Sequence, residues 1–163
     1  MATLIKRSQI QAFLNVGGDT ENYKIVGNGV NDLSYEYNPQ ETTETYIVND
    51  NATTTLDSYQ IALDTEMKCI KGDDIFDYID NLRYNVSVGG DAKTSLILVD
   101  TWHGENGSYR AEKFECTISI NSYGGAGGET PTIAFRIGIN GDPEKGTATI
   151  TTGTATFTPS IDE

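Results

Sequence analysis

The chain offers few residues for catalysis or metal binding, and they lie far apart in the sequence. His103 is the only histidine, and Cys69 and Cys116 are the only cysteines. A zinc site built from these three would have to converge from three separate strand-like segments, so a plain surface or strand-end histidine is the simpler interpretation. A Ser–His–Asp arrangement stays open, although no G-x-S-x-G elbow supports it. Paired carboxylates are frequent only because acids are frequent, so they are weak support for acid–base catalysis.

Two further segments have compositions that occur in ion-binding loops. Asn49, Asp50, Asn51 and Asp57 could ligate Ca²⁺, but they do not follow the D-x-[DN]-x-[DN]-G-x₅-E pattern, and a solvated loop is the simpler interpretation. The glycine-rich residues 124–128 precede a predicted strand rather than a helix and lack the lysine of a phosphate-binding loop. We therefore predict no enzymatic activity, no metal site and no cofactor.

Length and charge restrict the possible classes of protein. The chain has 163 residues and a formal net charge of −13, which predicts one acidic domain over residues 1–163 with a sizeable core. This charge argues against binding nucleic acid by phosphate neutralisation and against docking on anionic lipid. No long apolar run follows the N-terminal basic pair, and no 18-residue apolar window exists, so we expect neither a signal peptide nor a membrane span. We interpret the two cysteines as buried, reduced thiols of a protein made in a cytosol.

Strand patterns dominate the chain. Segments with strand-like alternation or high β propensity lie at residues 10–14, 23–26, 33–37, 43–48, 59–69, 94–102, 114–120, 133–139 and 147–158. We interpret the polar run 49–58 as a protruding loop too long for a tight hairpin, and GDPEKG at 141–146 as a turn. Pro39 is expected to stop or bend the strand before it. The pattern predicts eight to ten strands in a mainly β fold, a β-sandwich or barrel, with a Thr-rich C-terminal segment at 147–163.

One helix is predicted at about residues 73–84, laid over one side of the sheet. Ile75, Phe76, Ile79 and Leu82 form an apolar stripe at helical spacing. Asp73 or Asp74 can cap the N-terminus, and the basic Arg83 near the C-terminal end suits the helix dipole.

One long segment is depleted of positive charge. Residues 25–67 contain no Lys or Arg but hold eight acids: Asp32, Glu36, Glu41, Glu44, Asp50, Asp57, Asp64 and Glu66. Like charges on neighbouring strands weaken a sheet, so this bias needs a compensating reason. The acids could merely keep an exposed sheet soluble, or they could line a surface that must not bind a polyanion.

Several motifs occur together in an order typical of one family. The sequence contains L-x-Y-x-Y-N-P at 33–39, TETYI at 43–47, KGDDIFDYIDNLR at 71–83, GGAGGE at 124–129 and GDP at 141–143. Over nearly the whole chain this resembles the major tail, or tail tube, protein of a long-tailed, non-contractile bacteriophage of Gram-positive bacteria. The tube of a contractile machine shares that fold, and sequence does not distinguish the two.

The resemblance implies a virion tail protein that forms hexameric rings, assembled in the cytoplasm of the host. The rings stack into a hollow tube, and inner-sheet strands of all subunits merge into one β-barrel. It further implies that residues 33–48 and 59–68 form inner strands and that loop 49–58 reaches the next ring. The implied partners are other copies of the chain, the tape measure protein, and the tail terminator and distal tail proteins. Genomic DNA passes through without specific binding, and no membrane is involved.

The resemblance also assigns the acids to the wall of the tube. The candidate lumen-facing residues are Glu36, Glu41, Glu44, Gln60, Asp64 and Glu66. An acidic wall would repel passing DNA rather than bind it. Arg136, on the polar face of a candidate inner strand, can instead pair with an acid of a neighbouring strand or subunit. The candidate stacking-loop residues are Asn49, Asp50, Asn51, Thr53, Thr54, Thr55 and Asp57.

Two alternatives belong to other classes of protein. A secreted Ig-like or carbohydrate-binding β-sandwich would use Trp102 and exposed tyrosines for stacking on sugars. An acidic hydrolase would require a convergent pair of carboxylates.

Overall fold

A computed structural model of the chain describes residues 1–160, so the last three residues of the predicted Thr-rich segment 147–163 lie outside the described part. It confirms a mainly β fold with one α-helix. Short 3-10 helices lie at Arg7–Gln9 and Gly89–Ala92. The nine strands are β1 Ile10–Asn15, β2 Tyr23–Ile25, β3 Pro39–Glu44, β4 Thr53–Tyr59, β5 Ala62–Lys68, β6 Lys93–Glu105, β7 Ser108–Gly124, β8 Thr132–Thr151 and β9 Thr154–Pro159.

Six strands close into a barrel. The strand order of the main sheet is β5-β8-β7-β6-β1-β2-β9, and β9 pairs again with β8. Closure is possible because β8 is 20 residues long: its first half pairs with β5 and its second half with β9, while β7 pairs along both halves. Strand β5 is therefore an additional strand at the end of the sheet, bonded to β8 on one side.

The core has two parts, on opposite faces of β1 and β6. Inside the barrel, Phe13, Ile97 and Val99 are buried with small residues of the surrounding strands. On the other face, Leu14 and Leu96 belong to a larger cluster that the helix covers. Burial on both faces explains why residues 96–99 read as a continuous apolar run rather than an alternating one.

The predicted helix is confirmed as α1, Asp74–Tyr84. Asp73 is its N-cap, and its carboxylate accepts a hydrogen bond of 3.1 Å from the amide of Phe76. The four stripe residues Ile75, Phe76, Ile79 and Leu82 are all buried. Arg83 lies in the last turn as expected and pairs with Asp80 at 2.7 Å.

The predicted strand at 33–37 is wrong, although its side-chain alternation is real. Leu33 is buried, yet the backbone forms only one bridge, at Glu36, which exchanges two hydrogen bonds of 2.9 Å with Ala62 of β5. The segment follows the outer edge of β5 without forming a continuous ladder. Alternation reports which side chains are buried, and it does not require that every backbone group pairs with a neighbouring strand.

The predicted strand at 59–69 is two strands separated by a break. β4 ends at Tyr59, and the amide of Gln60 then donates to the carbonyl oxygen of Tyr37 at 3.1 Å. From Leu63 onward the alternation is confirmed: the exposed side chains are Asp64 and Glu66, and the buried ones are Leu63, Thr65 and Met67. Ala62, expected on the exposed face with Asp64, is buried instead.

The predicted protruding loop at 49–58 is mostly a strand. Residues 53–59 form β4, which pairs with β3 in a separate two-stranded sheet, and residues 45–52 connect them. Pro39 begins β3 rather than ending a strand, a position where its missing N–H is tolerated. The β-branched run Thr53-Thr54-Thr55 favours extended backbone even though nothing covers it.

The predicted turn at 141–146 is also wrong, because these residues lie inside β8. Glu144 pairs with Lys113 of β7, and the register shifts between Lys113 and Glu115. The bend takes place within a continuous strand, with Gly141 at a φ of 73°. Residues 125–131, which contain most of the glycine-rich run, do connect two strands, β7 and β8, as predicted.

Candidate functional site

The most prominent feature of the surface is the β3–β4 hairpin, residues 39–59, which we call the arm. Every residue of the arm is solvent-exposed. At its base the side-chain Nδ2 of Asn38 donates to the carbonyl oxygens of Glu36 at 3.3 Å and Gln60 at 3.0 Å. The rings of Tyr37 and Tyr59 meet edge to face there, with 5.8 Å between their centroids. The base is thus held firmly, while the rest of the arm has no core of its own.

The tip of the arm is apolar. Ile47 is fully exposed, with a relative accessibility of 105%, Val48 reaches 84%, and Tyr46 is half exposed. Acids flank this triplet: the hydroxyl of Tyr46 donates to the carboxylate of Glu44 at 3.0 Å, and Asp50 follows. An apolar group on a projecting hairpin is typical of a contact with another protein surface.

The structure divides the predicted stacking-loop residues between the tip and one strand of the arm. The residues in the connection at the tip are Asn49, Asp50 and Asn51, and those in β4 are Thr53, Thr54, Thr55 and Asp57. The carboxylate of Asp57 accepts a hydrogen bond across the arm from the hydroxyl of Thr42. The predicted strand at 43–48 included Tyr46, Ile47 and Val48, so these three were not predicted to be contact residues. Their position next to the polar loop was the signal that could have identified them.

The predicted lumen residues likewise fall in two places. The residues on the arm are Glu41 and Glu44, and those at the body of the fold are Glu36, Gln60, Asp64 and Glu66. Glu36 lies beside β5 through its bridge to Ala62, and Gln60 lies in the link between β4 and β5. The six residues therefore do not form one continuous surface within a single chain.

Asp64 and Glu66 line an open groove on the outer face of β5. The groove has a volume of about 490 Å³, and Asp32 and Asn121 also line it. Asp32 is held there because its carbonyl oxygen accepts a hydrogen bond of 2.8 Å from the hydroxyl of Thr65. Asp32 is one of the eight acids of segment 25–67, but no strand pattern assigns it to this surface, because residues 31–34 form no strand.

Arg136 lies opposite Asp64 in the β5–β8 ladder, on the same exposed face. Among the described residues the four ion pairs within 4.0 Å involve other side chains. The charged residues that line the groove are Asp32, Asp64 and Glu66, and the one guanidinium on this face, that of Arg136, is on the neighbouring strand.

The residues considered for a metal site are not brought together in the described part of the chain. In residues 1–160 no three His, Cys, Asp or Glu side chains are grouped as a metal site requires. Cys69 and Cys116 are free thiols, and burial raises the pKa of Cys116 to about 12. His103 packs edge to face on Trp102 at 5.7 Å.

Trp102 is not an open platform for a sugar. Its indole ring is 39% exposed, and the guanidinium of Arg110 lies 4.8 Å from the ring centroid. Arg110 is in turn fixed by Asp100, whose carboxylate accepts hydrogen bonds of 2.8 and 3.2 Å from it. One face of the indole is thus occupied by a cation–π contact.

In the described part of the chain, no helix is both long and apolar enough to cross a membrane.

Comparison with known proteins gives a fold. No protein-family model and no curated protein sequence matches the chain. Among solved structures, the fold is similar to that of a chain in the tail of an empty GTA particle, determined by helical refinement with C6 symmetry. The TM-score is 0.63 with 11% sequence identity, and the match covers 86% of this chain and 97% of the other. The two chains share an overall fold over nearly their full lengths.

Proposed function

We propose that this chain is the repeating structural subunit of a tail tube, in which six copies form a ring and the rings stack. The observation that carries the proposal is the arm: a hairpin of 21 residues, every one of them solvent-exposed, with an apolar tip. An isolated two-stranded hairpin is at best marginally stable in water, so the arm is best explained as half of an interface. The similarity in fold to a C6-symmetric tail supports six copies per ring.

The end of the sheet supports lateral association of subunits. β5 pairs with β8 on one side, and segment 29–36 covers its other edge with few backbone bonds. Open strand edges are sites where another chain can add. We propose that neighbouring subunits complete this edge, so that the sheets merge around a central channel.

The lumen is the finer part of the proposal. If the outer face of β5 lines the channel, Asp64, Glu66 and Asp32 present a carboxylate-rich wall to DNA, which carries one charge per ~1.7 Å of its axis. The Debye length of ~8 Å at physiological ionic strength leaves part of the repulsion unscreened in a narrow bore. DNA would then pass without being held.

The remaining assignments depend on the resemblance noted from sequence. We propose that the tube lies in a virion tail assembled in the host cytoplasm. It would enclose the tape measure protein and end at tail terminator and distal tail proteins. A non-contractile phage of Gram-positive bacteria is the proposed source.

Electron microscopy of the purified protein tests the assembly. At increasing protein concentration we expect rings with six-fold symmetry and then tubes. A monodisperse monomer at every concentration, with no rings, would refute the proposed function.

Charge reversal tests the channel. We expect tails built from the Asp64→Lys, Glu66→Lys double variant to assemble, because both side chains are exposed and surface changes usually cost less than ~0.5 kcal/mol. Such tails should release DNA more slowly than wild type in a dye-accessibility assay. The matched control reverses two exposed acids elsewhere, Asp142→Lys with Glu144→Lys, and should release DNA at the wild-type rate. Equal rates for all three proteins would show that Asp64 and Glu66 do not face the channel.

A further inference from the structure

The arm has an unused strand edge. β3 pairs with β4 on its inner side, and in residues 1–160 no strand pairs with its outer side. A third strand is the usual means by which a solvated hairpin becomes stable. The outer edge of β3 therefore lacks backbone partners that another extended segment could supply.

In the described part of the chain, the N-terminal residues 1–5 also lack backbone partners, and Lys6, which follows them, is bonded only to Gln9 of the adjacent 3-10 helix. They are exposed, with Leu4 at 94% relative accessibility, and residues 1–5 take part in no backbone hydrogen bond of the described structure. The segment is anchored at its end, where the guanidinium of Arg7 donates to the carbonyl oxygens of Ile10 at 2.6 Å and Leu33 at 2.7 Å. Thr3 and Ile5 are β-branched, which favours a strand.

The two segments have opposite charge. Residues 1–18 contain two bases, Lys6 and Arg7, and no acid, whereas residues 39–59 contain four acids and no base. Two of those acids, Glu41 and Glu44, lie on β3 itself. In the isolated chain both segments remain solvent-exposed and share no hydrogen bond.

We propose that residues 2–6 of one copy add as a third strand to the outer edge of β3 in a second copy. Backbone hydrogen bonds supply the affinity, and Lys6 beside the β3 carboxylates fixes the register, as in other strand additions. Leu4 and Ile5 are removed from water in the same step. This inference rests on the proposed tube, because only an assembly holds the two copies together.

Disulfide cross-linking tests the contact directly. One tagged chain carries Leu4→Cys and a second carries Thr43→Cys, at an exposed position on β3. After mixing, assembly and mild oxidation, we expect a covalent heterodimer. The matched control uses Thr149→Cys, an exposed position on a strand already paired on both sides, and should give less than about a tenth of that product. Cross-linking only within one chain that carries both cysteines, and not between chains, would overturn the proposal.

Charge exchange tests the electrostatic part. Lys6→Glu and Glu44→Lys should each raise the protein concentration at which assembly begins by roughly threefold, as expected for exposed ion pairs. Combining the two changes in one protein should restore the wild-type concentration, since each contact then pairs opposite charges again. Lys145→Glu, an exposed base remote in sequence from both segments, is the control and should have no effect. A double variant that assembles no better than either single variant contradicts the pairing.

Hydrogen exchange separates this inference from the proposed function. On assembly, amides of residues 3–5 and 40–44 should become protected together. If tubes form but residues 3–5 exchange as fast as in the free subunit, the tube stands and the third strand is refuted. If no tubes form, the proposed function itself fails.

Discussion

Shortening Ile47 to alanine should weaken assembly without changing the stability of the subunit. The side chain is fully exposed at the tip of the arm, so its removal leaves no cavity in the folded chain. We expect the free energy of unfolding of the subunit to change by less than ~0.5 kcal/mol. The whole effect should appear in assembly, at the contact that we propose between the tip and another ring.

The size of the effect follows from the buried apolar groups. Ile→Ala removes about three methylene equivalents, each worth ~0.8 kcal/mol when buried. The loss is about 2.4 kcal/mol for each contact, which weakens that contact by roughly 60-fold. In the proposed tube each subunit makes this contact once, so the concentration required for tubes should rise steeply.

The same substitution in the core is the matched control. Ile79 on α1 has 0% relative accessibility, and its truncation should cost ~2–5 kcal/mol of stability through lost burial and a cavity. For a domain of this size the melting temperature should fall by about 10 °C. Sedimentation velocity over a range of concentrations measures assembly, and thermal melts at non-assembling concentration measure stability.

The two variants should therefore give opposite results. If Ile47→Ala leaves the onset of assembly unchanged, the tip is not the contact between rings. If it lowers the melting temperature as much as Ile79→Ala does, the arm packs on its own subunit and our description of it is wrong.

Three smaller predictions test local features of the fold. Burial raises the pKa of both thiols, and Cys116 is fully buried; a thiol reagent at pH 8 should therefore modify Cys69 slowly and Cys116 only after unfolding, as mass spectrometry of labelled peptides would show. Gly104→Ala should destabilise the protein by roughly 3 kcal/mol, because a Cβ there would lie 2.3 Å from a carbonyl oxygen of the facing strand. Gly107→Ala, which has open space, should cost only ~1 kcal/mol in the same denaturant titration. Asp73→Ala should cost ~1 kcal/mol by removing the helix cap, whereas Asp73→Asn should retain most of it.

The helix and most of the main sheet were predictable from sequence because burial on one face imposes a period on the chain. Ile75 and Ile79 lie one turn apart on the buried side of α1, and Leu63 and Met67 lie on the buried side of β5. In these elements a single packing surface selects the apolar positions, so the pattern of residues reports the element directly.

The arm was mispredicted because neither of its strands has a buried face that would impose an alternating pattern. All residues of β3 and β4 are exposed, so neither strand shows alternation, and the polar run 49–58 resembles a loop. The turn predicted at 141–146 failed for a related reason. Gly141 and Pro143 are typical turn residues, but the long β8 uses this region to bend while it continues to pair with β7.

The sequence by itself determined the class of fold, the capped helix and the charge bias of segment 25–67. These features depend on residue types and local spacing, which the sequence states completely. Only the tertiary structure decided that β8 closes a barrel, that the acids of one segment divide between a groove on β5 and a projecting arm, and that the arm leaves an edge free. These features depend on which distant segments become neighbours, and that is set by the packing of the whole chain rather than by any local pattern.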